Sequence, residues 1–336
     1  MDLFTFGSYS SGQRRPAWHH ARVRAVRGSS TGVLVVDTPE PMAGPMQEIV
    51  GVSRAGICAS DLHMIAEGFT AITLGHEFGG RLHDGTLVAV RPTGACGSCA
   101  SCVVGRINLC ASAFGGFHGG LIDGGWADRV CVDRSTMFAV PQSVTPGGAA
   151  LVEPLAVAVH GVRRVAVSEE GRVAVIGGGS VGLAVVAALC HLGIGVDIDA
   201  RYPHQQQAAE KLGAHVGLRG SYGIVFDAVG SQSAVEASVR ACRSGGSIVE
   251  LGVFWQPITL GRELTLREIS LVPALFYAHD HSQSDFDLAI EIIAAKPDIE
   301  SILVTHVFDL DDAAEAVRVA GDRSAGVIKV HLAIGE

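Results

Sequence analysis

The sequence predicts an α/β protein in which a doubly wound parallel sheet of the dinucleotide-binding kind is joined to a discontinuous β-rich domain. Three observations lead there. From residue 172 onward short apolar runs alternate with helical stretches, the order expected when parallel strands are linked by crossover helices. The first of those runs ends in Gly177-Gly178-Gly179-Ser180-Val181-Gly182, a glycine turn between a strand and a helix. Before it, residues 32–37, the Pro39-Glu40-Pro41 segment and residues 48–53 alternate apolar strand with proline-rich turn, and 86–90 continues the pattern.

Length and composition agree. A chain of 336 residues exceeds the ~250–300 at which single cores stop growing, so two domains are expected. Hydrophobic residues make up 48% and charged residues 18%, which leaves ample core and excludes disorder as the main theme. The 43 glycines follow no Gly-X-Y period and point to tight turns. A formal charge of −9 argues against a nucleic-acid partner, which needs a positive face. Residues 173–196 contain no fixed charge, but the glycines within them indicate a buried strand running into a buried helix, with no membrane span expected. Residues 1–20 have no apolar core of a signal peptide, so a cytoplasmic location is expected, and 1–21 read as a flexible extension.

Taken in order, the first chemistry-bearing stretch is Gly56-Ile57-Cys58-Ala59-Ser60-Asp61-Leu62-His63 with Gly75-His76-Glu77 shortly after. A thiolate, imidazoles, carboxylates and a hydroxyl so close together suit a catalytic zinc with three protein ligands and an open position, plus a proton path. Cys58 and His76 are two candidate ligands. Next, Cys96, Cys99, Cys102 and Cys110 form C-x2-C-x2-C-x7-C, the donor set of a closed structural zinc site. An iron–sulfur cluster is the rival, though no proline follows Cys110, and a zinc-ribbon nucleic-acid module sits poorly with the acidic charge. Residues 113–127 are glycine-rich and hold Phe114, Phe117, His118 and Trp126, which suit either a pocket mouth or loop packing. Glu153 stands inside the apolar run 151–160, where an unpaired carboxylate is costly, so it needs a cation or a strong donor.

The strand 173–176 leads into the glycine turn and a helix over 183–192. Gly177 serves the tight turn, Gly179 the close approach of a pyrophosphate, and Gly182 the packing of helix on strand. Further strands are expected at 195–200, 223–229, 246–253 and 268–275, with helices at 204–212 and 233–242. The helix 286–295, strand 304–308, helix 310–320 and strand 327–332 are assigned back to the first domain. The expected division is therefore 22–154 with 279–336 for the β-rich domain and 155–278 for the nucleotide domain.

Over 90% of the chain, from about residue 22 onward, resembles the zinc-containing medium-chain alcohol dehydrogenases, on the motifs GICASDLH, GHE, the four-cysteine lobe, EPLA and GGGSVG in that order. The resemblance implies a GroES-like catalytic domain beside a Rossmann domain, two Zn2+ per chain, and reversible oxidation of a small alcohol to an aldehyde or ketone by a nicotinamide cofactor. It implies Cys58, His76 and Glu153 as ligands of the catalytic zinc, with the glutamate leaning toward the polyol branch. Glu77 then resembles the nearby acid that approaches the metal during ligand exchange, and Asp61 orients His76. Ser60 takes the alcohol proton and His63 passes it to solvent. The cofactor lies on Gly177, Gly179, Ser180, Val181 and Gly182. The acidic position that selects NAD(H) falls on Ala200, with Arg201 next and His204 nearby, which favours NADP(H); Asp199 adjoins it but points to the opposite face. A homo-oligomer, dimer or tetramer, is also implied. The segment between Gly80 and Val88 is shorter than usual in the family, which alters the rim of the substrate cleft. A zinc-free quinone or enoyl reductase lacks this ligand set. A non-enzymatic nucleotide-binding sensor or structural protein on the same fold is the other reading.

Overall fold

The computed structural model describes residues 22–69, 71–167, 171–279 and 283–335, so the extension expected at 1–21 lies outside the described residues. The chain begins with a hairpin of β1 (Arg22–Ser29) and β2 (Gly32–Pro39). There follow β3 (Gln47–Ile57), α1 (Ala59–Ala66), β4 (Glu77–Arg81), β5 (Leu87–Val90), α2 (Ala100–Val103), β6 (Arg129–Asp133), β7 (Met137–Ala139) and α3 (Pro146–Arg163). The nucleotide-binding half comprises β8 (Arg172–Ile176), α4 (Ser180–His191), β9 (Gly195–Asp199), α5 (Pro203–Leu212), β10 (His215–Val216), β11 (Tyr222–Asp227), α6 (Gln232–Ala241), β12 (Cys242–Glu250), α7 (Arg262–Leu266) and β13 (Ser270–Pro273). The chain closes with α8 (Asp285–Ala295), α9 (Ile299–Leu303), β14 (Val304–Asp309), α10 (Ala313–Gly321) and β15 (Lys329–Ala333).

Two large sheets result. One has six strands in the order β10-β9-β8-β11-β12-β13, every neighbouring pair parallel. Strand order reverses between β8 and β11, and a ligand crevice belongs at the carboxyl ends of the strands at such a point. The other sheet has seven strands, β14-β15-β3-β4-β5-β7 with β6 on the far half of β3, and is antiparallel apart from β14 on β15. Its β14 and β15 come from the C-terminal part of the chain and its other strands from before α3, so this sheet is discontinuous in sequence. The apolar stretch 173–196 is β8 followed by the 12-residue α4, and among the described residues no helix is long and apolar enough to cross a membrane.

Helix α3 joins the halves. Pro146 occupies its first turn and the Thr145 hydroxyl caps it by accepting from Gly148 N. Its residues from Gly147 to Ala156 are buried, which explains an apolar run too uniform to show helical period in the sequence. One face meets β3, β4 and β5, and another packs on α4 and α8.

Helices α8 and α9 bury Phe286, Ala289, Ile292, Ile293 and Leu303 in one cluster with α3 and α4, and the chain rejoins the seven-stranded sheet only at β14. An amphipathic pattern states that a face is buried, but not against which of two cores.

Candidate active site

Strand β3 ends at Ile57, and Cys58 caps α1 with extended backbone (φ −91°, ψ 155°). Asp61, in the first turn, is fully buried; its Oδ2 accepts from Cys58 N at 2.8 Å and its Oδ1 lies 3.1 Å from His76 Nδ1. A single carboxylate thus hydrogen-bonds the cysteine's backbone and lies within ion-pair distance of the imidazole. The other ring nitrogen, Nε2, lies 3.4 Å from Ser60 Oγ. Burial works against a charged His76, but Asp61 and the Cys58 sulfur outweigh it and hold the imidazole well above its usual range.

Glu77 opens β4 and is 1% exposed, with both carboxylate oxygens 2.7 Å from Lys329 Nζ on β15. The ammonium also donates to Ile57 O at 3.2 Å. Gly56 makes room for this pair, since a Cβ there would lie 2.1 Å from Glu77 Oε2. One donor atom each of Cys58, His76 and Glu77 falls within 4.8 Å of the others, a spacing that suits one metal ion. Glu153, on α3, stands beside that group and not within it. It takes a 2.7 Å hydrogen bond from the Tyr277 hydroxyl, and burial pushes its carboxyl up to about 7 against the pull of His76. Tyr277 and Lys329 have no signal in the local sequence, because each reaches the site from more than a hundred residues away.

The loop 113–127 divides in two. Trp126 is fully buried and donates to Gly56 O at 3.0 Å, and His118 is buried with Nδ1 2.7 Å from Asp123 O, so both are packing residues. Phe117 faces the site, its ring centroid 5.5 Å from that of His76. Exposed His63 stacks on Trp255, centroids 4.1 Å apart at 16°, across the gap between α1 and the loop after β12. Among the described residues no hydrogen bond joins it to Ser60.

In the cysteine lobe the four sulfurs of Cys96, Cys99, Cys102 and Cys110 also lie within 4.8 Å of one another. Backbone N–H groups of Ser98 and Cys99 lower the Cys96 thiol to about 6, and those of Cys96 and Ser112 lower Cys110. Burial and the crowded sulfurs push Cys102 up to about 12. Negative charge is thus stabilised on two sulfurs and resisted on a third, which a shared cation would relieve.

At the nucleotide turn Gly177 has φ +102°, a left-handed conformation that favours glycine. A Cβ on Gly182 would lie 1.9 Å from Gly177 O, so α4 sits on the turn only with glycine there. Gly179 has open space where a side chain would be and caps α4 without any side-chain hydrogen bond, leaving the N–H groups of Ser180, Val181 and Gly182 to face an anion. Ala200 is buried against Gly178, while Asp199 and Arg201 on either side are exposed. The Arg201 guanidinium lies 5.6 Å from the Tyr202 ring, and His204 Nε2 is buried with no partner among the described residues.

A metal-suited donor cluster in a discontinuous β-rich half, joined to a parallel sheet that carries an open phosphate-type turn, is the architecture of a nucleotide-dependent, metal-site dehydrogenase. The profile of the alcohol dehydrogenase GroES-like domain matches residues 44–142, and that of zinc-binding dehydrogenases matches 180–295. L-idonate 5-dehydrogenase (NAD(P)(+)) of Escherichia coli K12 is 27% identical over 322 residues, covering 84% of this chain and 91% of that protein. Human sorbitol dehydrogenase is 27% identical over 325 residues, covering 83% and 87%. The solved structure of the Escherichia coli L-idonate enzyme superposes with a TM-score of 0.83 at 26% identity, covering 93% and 98%. The chain belongs to the zinc-containing medium-chain alcohol dehydrogenase family and is an alcohol oxidoreductase of that class.

Proposed function

We propose that this protein interconverts a small alcohol with its aldehyde or ketone using NADP(H) in preference to NAD(H), at a zinc held by Cys58, His76 and Glu153. The observation that carries the reading is the joint placement of Cys58 and His76 through Asp61, with buried Glu153 alongside. A carboxylate behind a ligating imidazole fixes ring orientation and raises its basicity, and Asp61 is built for that role. Glu77 is neutralised on both oxygens by Lys329, which leaves Glu153 the carboxylate in greater need of a cation and keeps Glu77 in reserve for ligand exchange. Zinc, when bound, supplies a Lewis acid that makes the alcohol proton easier to remove. Ser60 Oγ, at the His76 edge, receives that proton, and His63 on the exposed side of α1 delivers it to solvent. Cys96, Cys99, Cys102 and Cys110 hold a second, structural zinc.

The cofactor lies along Gly177, Gly179 and the N-terminus of α4. Buried Ala200 provides no acceptor for a ribose 2′-hydroxyl, and exposed Arg201, with His204 beside it, suits a 2′-phosphate. By strand alternation Asp199 lies on the face opposite Ala200 and does not fill the acidic position. Relatives of both kinds exist: a Sinorhizobium meliloti structure 27% identical holds NADP, and the Escherichia coli L-idonate enzyme is named for both cofactors. The test is kcat/KM on an alcohol panel with NADP and NAD, in the parent and in Arg201→Ala. NADP should be favoured in the parent, and the variant should lose roughly tenfold with NADP alone, the scale of a charge-assisted hydrogen bond. A parent that prefers NAD, or turns over no alcohol, refutes the reading.

A further inference from the structure

We infer that the substrate carries an aromatic group next to its carbinol carbon, held by a wall of three phenylalanines that runs outward from His76. The rings form a continuous series: Phe117 lies 5.5 Å from His76, Phe276 lies 5.6 Å from Phe117, and Phe114 lies 5.1 Å from Phe276, all measured between centroids. The interplanar angles of 44° to 58° between the phenylalanines are tilted contacts of the kind aromatic pairs prefer. Phe117 and Phe276 are half-buried and Phe114 is 49% exposed, so the wall is an open apolar face reaching from the metal-suited cluster to solvent.

The wall is held at a conformational penalty. Phe276 has φ +55°, a left-handed conformation rare for a bulky side chain, and it persists only where its surroundings over-determine it. The next residue explains what the bend achieves, because Tyr277 donates to Glu153 Oε1 at 2.7 Å. One strained dipeptide therefore places an aromatic ring on the substrate side and a hydroxyl on a candidate ligand. A polyol or sugar-acid substrate, of the kind for which relatives are named, would present a chain of hydroxyls to this face. A phenyl wall leaves those hydroxyls without partners after they lose water, whereas an aryl ring gains contact area and edge-to-face attraction.

This inference rests on the alcohol–carbonyl reading above. In the oxidative direction the carbinol C–H bond breaks and its hydrogen leaves with the electron pair as hydride to the oxidised nicotinamide. The O–H proton leaves through Ser60, the C=O bond forms, and the products are aryl ketone or aldehyde, reduced cofactor and one proton.

The experiment compares 1-phenylethanol, 2-propanol, sorbitol and L-idonate as substrates of the full chain, in the parent, Phe117→Ala and Phe114→Ala. The parent should favour 1-phenylethanol over sorbitol and L-idonate in kcat/KM. Each variant should lower the ratio of kcat/KM for 1-phenylethanol over 2-propanol by about 3–10-fold, the scale of one aromatic contact. A ratio is read because partial misfolding lowers both terms alike. Preference for sorbitol or L-idonate, or an unchanged ratio in both variants, overturns the inference. Saturation-transfer NMR with acetophenone separates the two readings if no alcohol is turned over: binding that Phe117→Ala weakens upholds the wall while the alcohol reading falls, and no binding overturns the wall as well.

Discussion

Replacing Lys329 by Met tests how the site carries its buried charge. Lys329 is 3% exposed and Glu77 1%, and the ammonium meets both carboxylate oxygens at 2.7 Å. Methionine fills much of the same volume but leaves the Glu77 carboxylate without its cation. At this burial solvent does not screen the loss, so the penalty is that of breaking one side of a buried ion pair, about 3–5 kcal/mol. The Lys329→Met, Glu77→Gln double variant has no orphaned charge and should recover about 2 kcal/mol of it. Because Glu77 also lies within 4.8 Å of the Cys58 and His76 donors, a zinc ion offers the freed carboxylate a second cation, and the loss should be smaller in zinc-loaded protein than after chelation. The pH is set by sign. Burial alone would lower the lysine, but Glu77 and then Cys58 raise its folded value above the unfolded one. Its contribution is therefore complete at neutral pH and is lost only as alkalinity passes the folded value. Guanidinium unfolding at pH 7, followed by circular dichroism with zinc and with chelator, measures all three proteins. A single variant that loses less than about 1 kcal/mol, or a double no more stable than the single, refutes the reasoning.

Two further expectations concern separate parts of the molecule. Burial, with Asp227 adding to it, raises Glu250 to about 8; one oxygen accepts from Gly252 N at 3.0 Å, and the other is buried with no partner among the described residues. Since the folded value lies above the unfolded ~4.3, this group removes stability progressively as pH rises from there through about 8. Glu250→Gln should therefore unfold at higher temperature than the parent at pH 8.5 or so and at nearly the same temperature near pH 4, and equal melting at the higher pH would count against it. For the metals, mass spectrometry should find two zinc ions per chain. Cys99→Ala should lose one of them together with stability, and Cys58→Ala should lose the other together with turnover while remaining folded. A parent with one zinc, or with iron, contradicts the assignment.

The glycine turn at 177–182 and the cysteine lobe at 96–110 are legible in the sequence because their chemistry is local. A turn that needs φ +102° at Gly177 and no side chain at Gly182 writes itself into adjacent residues, and four sulfurs brought within 4.8 Å by one short loop must be closely spaced along it. Cys58, Asp61 and His76 are legible for the same reason, since one helix start and the next strand bring them together. Alternation of strand and helix likewise announces the parallel sheet, although it cannot tell which core receives α8. Tertiary structure alone decided the rest. Lys329 meets Glu77 across 252 positions, and Tyr277 meets Glu153 across 124. His63 stacks on Trp255, and Phe117 meets Phe276 at a tilt, between elements that share no local pattern. A buried charge or an aromatic face finds its partner through strand neighbours and register, and those are properties of whole sheets, set by burial of every strand at once.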